Sequence, residues 1–137
     1  MESREKLGLP INAFIVGMVA HFNQFKDHLT FAKAIKEIVN THPVEAWNII
    51  FMVVGNPLLS ANNSYDLYYN KFKSDLYDLD IPRFNIRVIS FVENMTEMIH
   101  TFDLGVLCSY SEGCPNALLE CMASKLPVTG SDIPGIR

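Results

Sequence analysis

The sequence predicts an α/β fold, a three-layer doubly wound parallel sheet. Three observations carry that expectation. Short continuous apolar runs read as strands buried on both faces, the segments between them repeat apolar residues at helical spacing, and the two kinds alternate along the chain. Such alternation calls for right-handed crossovers between parallel strands, with helices on both faces of one sheet. The chain has 137 residues, 49% of them apolar, which suffices for one core without a disulfide or metal staple.

Residues 13–19 (AFIVGMV) form the first apolar run. A polar segment, 21–28, follows. From Asp27 the residues Leu29, Ala32, Ile35 and Val39, flanked by Phe31 and Ile38, keep helical spacing until Asn40 and His42-Pro43 stop them. Residues 47–54 (WNIIFMVV) are a second buried strand, closed by the turn composition of Gly55, Asn56 and Pro57. Tyr65, Tyr68, Phe72, Leu76 and Leu79 mark a second helix before Pro82, and this aromatic stripe reads as core packing rather than as a platform for a sugar. Shorter pieces complete the alternation: strand 86–91, helix 95–102, strand 104–108, helix 116–123 and strand 127–130. The total expected is five strands and four helices, without internal repeats.

Several function classes drop out on composition. Eleven Lys and Arg against fifteen Asp and Glu give a net charge of −4, with no block of like charge, so no nucleic-acid or anionic-membrane surface is expected. The longest apolar run is far short of the roughly 20 residues that span a bilayer, and the first twelve residues hold no signal-peptide core. Cys108, Cys114 and Cys121 fit neither an even disulfide set nor a zinc pattern and read as reduced cytoplasmic thiols. A reactive Cys114 is the sharper alternative, but no His lies near it in sequence.

With strand order 3-2-1-4-5, the first and fourth strands are neighbours whose outgoing loops part at a topological switch point, where such sheets bind ligands. Those loops are 20–28 and 109–116. Neither contains the glycine-rich dinucleotide or P-loop fingerprints, and no nucleophile elbow is present. The second loop runs as SYSEGCPNALLE from Ser109 to Glu120. Gly113 there is expected to supply backbone freedom or close approach, Pro115 to open a helix, and the N–H groups of Asn116, Ala117 and Leu118 to favour an anion such as phosphate.

Glu112 and Glu120 stand eight apart within EGCPNALLE, and this resembles the E-x7-E motif of family 4 retaining glycosyltransferases. VGMVAHF (16–22) with KDH (26–28), VGNP (54–57), DLGVL (103–107) and PVTGSD (127–132) resemble the same family in the same order. The resemblance implies the nucleotide-sugar-binding, C-terminal half of a GT-B enzyme, a fold of two Rossmann-like domains with the active site in the cleft between them. Residues 1–12 would be a remnant of the interdomain linker and 13–137 a partial Rossmann-like donor domain. By position, Glu120 would hold the ribose hydroxyls, Glu112 would contact the donor sugar, and Lys26 would neutralise the diphosphate leaving group. The implied donor is a UDP-, GDP- or ADP-sugar, with no metal or other cofactor and with acceptor binding left to an absent N-terminal domain. The implied setting is the cytoplasm, the parent enzyme working at the inner membrane face on cell-surface glycans.

Plainer readings stand beside these. Lys26 alone is a surface lysine, although the start of a helix is a poor place for a cation. Glu120 alone is a solvated helix face and Glu112 an ordinary loop charge. His28 and His42 read as surface or capping residues and His100 as helix surface. Asp78-Leu79-Asp80 matches the D-x-D of metal-dependent glycosyltransferases, but it ends an amphipathic helix and reads as helix-end solvation.

The sequence also departs from the family. His21 stands where an arginine is common, which weakens the diphosphate's second cation. Lys125 replaces a common glycine, at a cost of about 1 kcal/mol if that position is left-handed, and Cys114 replaces a larger apolar residue. The chain stops before an expected sixth strand and closing helices, which would leave an edge at 127–130 able to pair two chains. A half-enzyme that binds donor without transferring is therefore the first reading. A degenerate, non-catalytic binding module is the second, and a glycosidase using Glu112 and Glu120 as paired carboxylates the third.

Overall fold

The computed structural model describes residues 2–42, 48–56, 64–78 and 85–137. Its elements are α1 (Glu2–Lys6), β1 (Phe14–Val19), α2 (His28–Thr41), β2 (Ile49–Val54), α3 (Ser64–Tyr77), β3 (Ile86–Ile89), α4 (Met95–Ile99), β4 (Leu104–Leu107), α5 (Asn116–Ala123) and β5 (Val128–Gly130). All pairings are parallel and the sheet order is β3-β2-β1-β4-β5. This is the doubly wound Rossmann-like sheet expected from the sequence, with β1 and β4 adjacent at the point where the order reverses.

The continuous apolar runs arise because both faces of the central strands are covered. In β1, Val16 and Met18 join one core cluster with Phe31 and Ile35 of α2, while Ile15 joins a second with Ile99 of α4 and Cys121 of α5. In β2, Phe51 and Val53 face the first cluster and Ile50, Met52 and Val54 the second. Each fully buried side chain of this kind contributes roughly 1.5–3 kcal/mol through removal from water. Phe72 and Leu76 of α3 lie in the first cluster, as the aromatic stripe requires. The Tyr65 side chain, Leu79 and Asp80 lie outside the described residues; Asp78 is exposed in the turn after α3.

One element was not legible. α1 has no apolar periodicity and is held by tertiary contacts: the Arg4 guanidinium donates to the carbonyls of Thr101, Ile11 and Ala13 and to Asp103 Oδ2 at 2.6 Å. The same Asp103 oxygen accepts from the Ile15 N–H at 2.7 Å. Segment 2–12 is thereby fastened to the starts of β1 and β4.

Lys125 adopts φ 62°, so the residue that departs from the family's glycine does occupy the left-handed region. Strand β3 ends at Ile89, two residues earlier than the apolar run suggests, which frees Ser90 and Phe91 as loop. Among the described residues no helix is long and apolar enough to cross a membrane, and no group of three or more His, Cys, Asp or Glu is placed to hold a metal ion.

Candidate functional site

Parallel strands point their C-terminal ends one way, so the loops that leave them gather on one side of the sheet. There they enclose a cavity of about 530 Å³. The loop after β1 contributes Ala20, His21 and Lys26; the loop after β2 contributes Gly55 and Asn56. Ser90, Phe91, Val92 and Met95 form the wall after β3, and Cys114, Pro115, Asn116, Ala117 and Glu120 the wall after β4.

Local chemistry shapes the β1 loop. Asn23 caps a short 3₁₀ turn, Gln24–Lys26, its side chain accepting from the Lys26 N–H at 3.2 Å. Asp27 then takes a left-handed conformation, φ 45°, and caps α2 by accepting from the Thr30 N–H. Gly55 supports the loop from below: a Cβ there would stand 1.9 Å from the Ala20 carbonyl oxygen, so only glycine lets β2's exit pass this close.

The two switch-point loops are tied together twice. The Tyr110 N–H donates to the Phe25 carbonyl at 2.8 Å, and Lys26 Nζ pairs with Glu112 Oε1 at 2.5 Å. Ser109 Oγ donates to that same carboxylate oxygen at 2.5 Å. The Glu112 side chain is only 6% exposed and that of Lys26 28%. Glu112 is therefore drawn under Lys26 instead of facing the cavity.

The sequence-predicted residues divide accordingly. His21, Lys26, Pro115, Asn116, Ala117 and Glu120 line the cavity; Glu112, Gly113 and Leu118 do not. Leu118 is core, 5% exposed. Gly113 has no left-handed φ, and a Cβ there would meet nothing within 4 Å, so the expected need for glycine does not arise in this state. The amide cradle is also smaller than expected. Asn116 donates to the Cys114 carbonyl and Leu118 to that of Pro115, which leaves the Ala117 N–H alone of the three without a backbone acceptor outside the helix among the described residues. Pro115 sits one residue earlier than a first helical position, as the residue that caps α5.

His28 is the clearest correction. Expected at the surface or as a cap, it is 0% exposed, stacked on Phe22 at 4.3 Å and enclosed by Tyr68 and Phe72. Burial, the dominant cause, pushes its pKa down to about 4, so the ring is neutral at pH 7. Its Nδ1 has no hydrogen-bond partner among the described residues. His42 and His100 are exposed residues that end α2 and α4.

Among the thiols, burial pushes Cys108 up to about 11 and also raises Cys121, so neither is a nucleophile at neutral pH. Cys114 is exposed, and its thiol donates to Asn116 Oδ1 at 3.3 Å. Phe91, 74% exposed on the cavity wall, was missed in the sequence. Asn56 and Met95 were missed with it, because lining residues from the loops after β2 and β3 carry no unusual polar motif.

The cavity is thus bipolar. One side, from the loops after β1 and β4, carries His21, Lys26 and, from α5, Asn116, Ala117 and Glu120; the other, from the loop after β3, carries Phe91, Val92 and Met95. Such a site suits a ligand with an anionic and an apolar end joined by hydroxyl donors.

Fold and cavity define a Rossmann-like α/β domain with a cavity at the switch point. Within that class, the chain belongs to the glycosyl transferases group 1 family, whose model matches residues 13–137. It is 30% identical over 130 residues to the UDP-Gal:alpha-D-GlcNAc-diphosphoundecaprenol alpha-1,3-galactosyltransferase of Escherichia coli, covering 94% of this chain and 30% of that protein. Among solved structures, Anabaena Alr3699/HepE in complex with UDP matches with TM-score 0.80 at 18% identity, over 98% of this chain and 34% of that one. A glycosyltransferase from Rickettsia africae matches with TM-score 0.79 at 19% identity, over 98% of this chain and 32% of that one. The chain spans about a third of the length of these relatives.

Proposed function

We propose that this chain is the donor-binding, C-terminal half of a retaining glycosyltransferase of the GT-B type, and that it takes a uridine-diphosphate sugar. The observation that carries the reading is convergence: His21 and Lys26, about ninety residues before Pro115, Asn116, Ala117 and Glu120, line one cavity with them at the switch point. The uridine assignment is supported by the UDP bound to Alr3699/HepE and by the UDP-galactose named for the Escherichia coli relative.

Each role follows from chemistry. A departing nucleoside diphosphate gains negative charge as the sugar bond breaks, and Lys26, His21 and the N-terminus of α5 stabilise that charge where it develops. Glu120 accepts from the ribose hydroxyls. Glu112 contacts the donor sugar after its carboxylate leaves Lys26, and retention needs no covalent bond to it. A second domain, N-terminal in the whole enzyme, supplies the acceptor, so this half binds donor in the cytoplasm without transferring the sugar alone. No metal is assigned a role.

The test is calorimetric titration of the 137-residue chain with UDP, GDP and ADP. Binding of UDP in preference to GDP and ADP is expected. Binding of no nucleotide by the folded chain would overturn the donor reading in favour of a non-catalytic module.

A further inference from the structure

The site already contains an anion of its own. Glu112 Oε1 occupies Lys26 Nζ at 2.5 Å, the position at which a diphosphate oxygen would need that ammonium. Glu112 is not held there by Lys26 alone, because Ser109 Oγ donates to the same oxygen. Ser109 is itself 1% exposed, so its hydroxyl cannot turn to water instead.

The backbone under this carboxylate is closely packed. A Cβ on Gly135 would stand 1.9 Å from the Glu112 carbonyl oxygen, so the segment after β5 lies directly against it. From the other side, the Tyr110 N–H is bonded to the Phe25 carbonyl. Rotation of the Glu112 side chain releases Lys26 without disturbing these backbone contacts.

We infer that Ser109 is a positioning residue: by holding Glu112 on Lys26 it makes Glu112 an internal competitor for the diphosphate, which incoming donor displaces. The inference rests on the donor reading above and adds to it a cost of opening the site. Displacement has a second consequence. The carboxylate that gives up Lys26 is freed to turn towards the cavity in the same event that seats the diphosphate beside Lys26, so Glu112 becomes available to the sugar only when donor is bound. Until then, the Glu112 carboxylate is nearly sealed from solvent, and Lys26, although it reaches the cavity, presents no unpaired ammonium to stray phosphate.

The competition acts on the diphosphate and not on the base or ribose. Titrating the chain with UDP and, separately, with uridine isolates it. Ser109→Ala is expected to tighten UDP binding about fivefold and Glu112→Gln about tenfold, with uridine affinity unchanged in both, while Ser109→Thr, which keeps the hydroxyl, returns UDP affinity to that of the unaltered chain. UDP affinity unchanged or lowered in Ser109→Ala, or uridine affinity moving in parallel, would overturn the inference while leaving the donor site standing. Absence of UDP binding by the unaltered chain would overturn both.

Discussion

The two ends of the cavity are built differently. At the Lys26 end the loops are already bonded: Lys26 meets Glu112 of the other loop, Ser109 donates to Glu112 within its own loop, and the Tyr110 N–H is bonded across to the Phe25 carbonyl. At the Phe91 end the wall is a surface-exposed ring with the side chains of Val92 and Met95, and no described hydrogen bond or ion pair involves those three side chains. A ligand entering the second end displaces only water, whereas one entering the first must replace bonds already made. Affinity should come from both ends and selectivity for a diphosphate from the closed one.

The floor beneath both ends gives the largest expected effect. Gly55→Ala drives a Cβ into the Ala20 carbonyl, a backbone atom that cannot move aside cheaply, and is expected to destabilise the chain by about 3 kcal/mol or more in a denaturant titration. Acid acts next, on the core beside α2 and α3. The neutral, buried His28 takes up a proton on unfolding more readily than when folded, its pKa being 6.5 unfolded and about 4 folded. Its stabilising contribution is whole above about pH 6.5 and is lost as pH falls towards 4, about 3 kcal/mol in all. Urea midpoints at pH 7 and pH 4 measure it, and His28→Phe should flatten the loss.

Smaller effects sharpen the contrast between the ends. Lys26→Ala removes the lysine that lines the cavity among the described residues and leaves Glu112 buried without its cation; UDP affinity should fall about a hundredfold and stability by about 2 kcal/mol. Glu120→Ala, on an exposed helix face, should lower affinity about tenfold with stability unchanged within about 0.5 kcal/mol. Gly113→Ala should change stability least, by under about 0.5 kcal/mol, since its Cβ meets open space.

What could be read from the sequence follows from the same physics. Strands buried on both faces announce themselves as unbroken apolar runs, and α5 coincides with the predicted 116–123, with Pro115 at its N-terminal boundary. The convergence of Lys26 and Glu120 could be anticipated because strand order alone brings their loops together. Pairings across the fold could not. Arg4 finds Asp103 across 99 residues, His28 is buried by rings from α3, and Glu112 turns from the cavity to Lys26. None of those partners is local, so no spacing or propensity encodes them. Phe91 escaped notice for a different reason: an exposed aromatic in a short loop looks like any other until the wall it belongs to is built.

The central claim is that the cavity at the switch point is where a nucleoside diphosphate binds. A second groove, of about 360 Å³ between α2 and the edge strand β5, offers the natural control. Backbone amide shifts in a ¹⁵N-labelled chain titrated with UDP compare the two directly. The account predicts shifts concentrated at Ala20 to Lys26, Ser90 to Met95 and Cys114 to Glu120. Shifts centred on Phe31, Ile35 and Thr129, or none at saturating UDP, would contradict it.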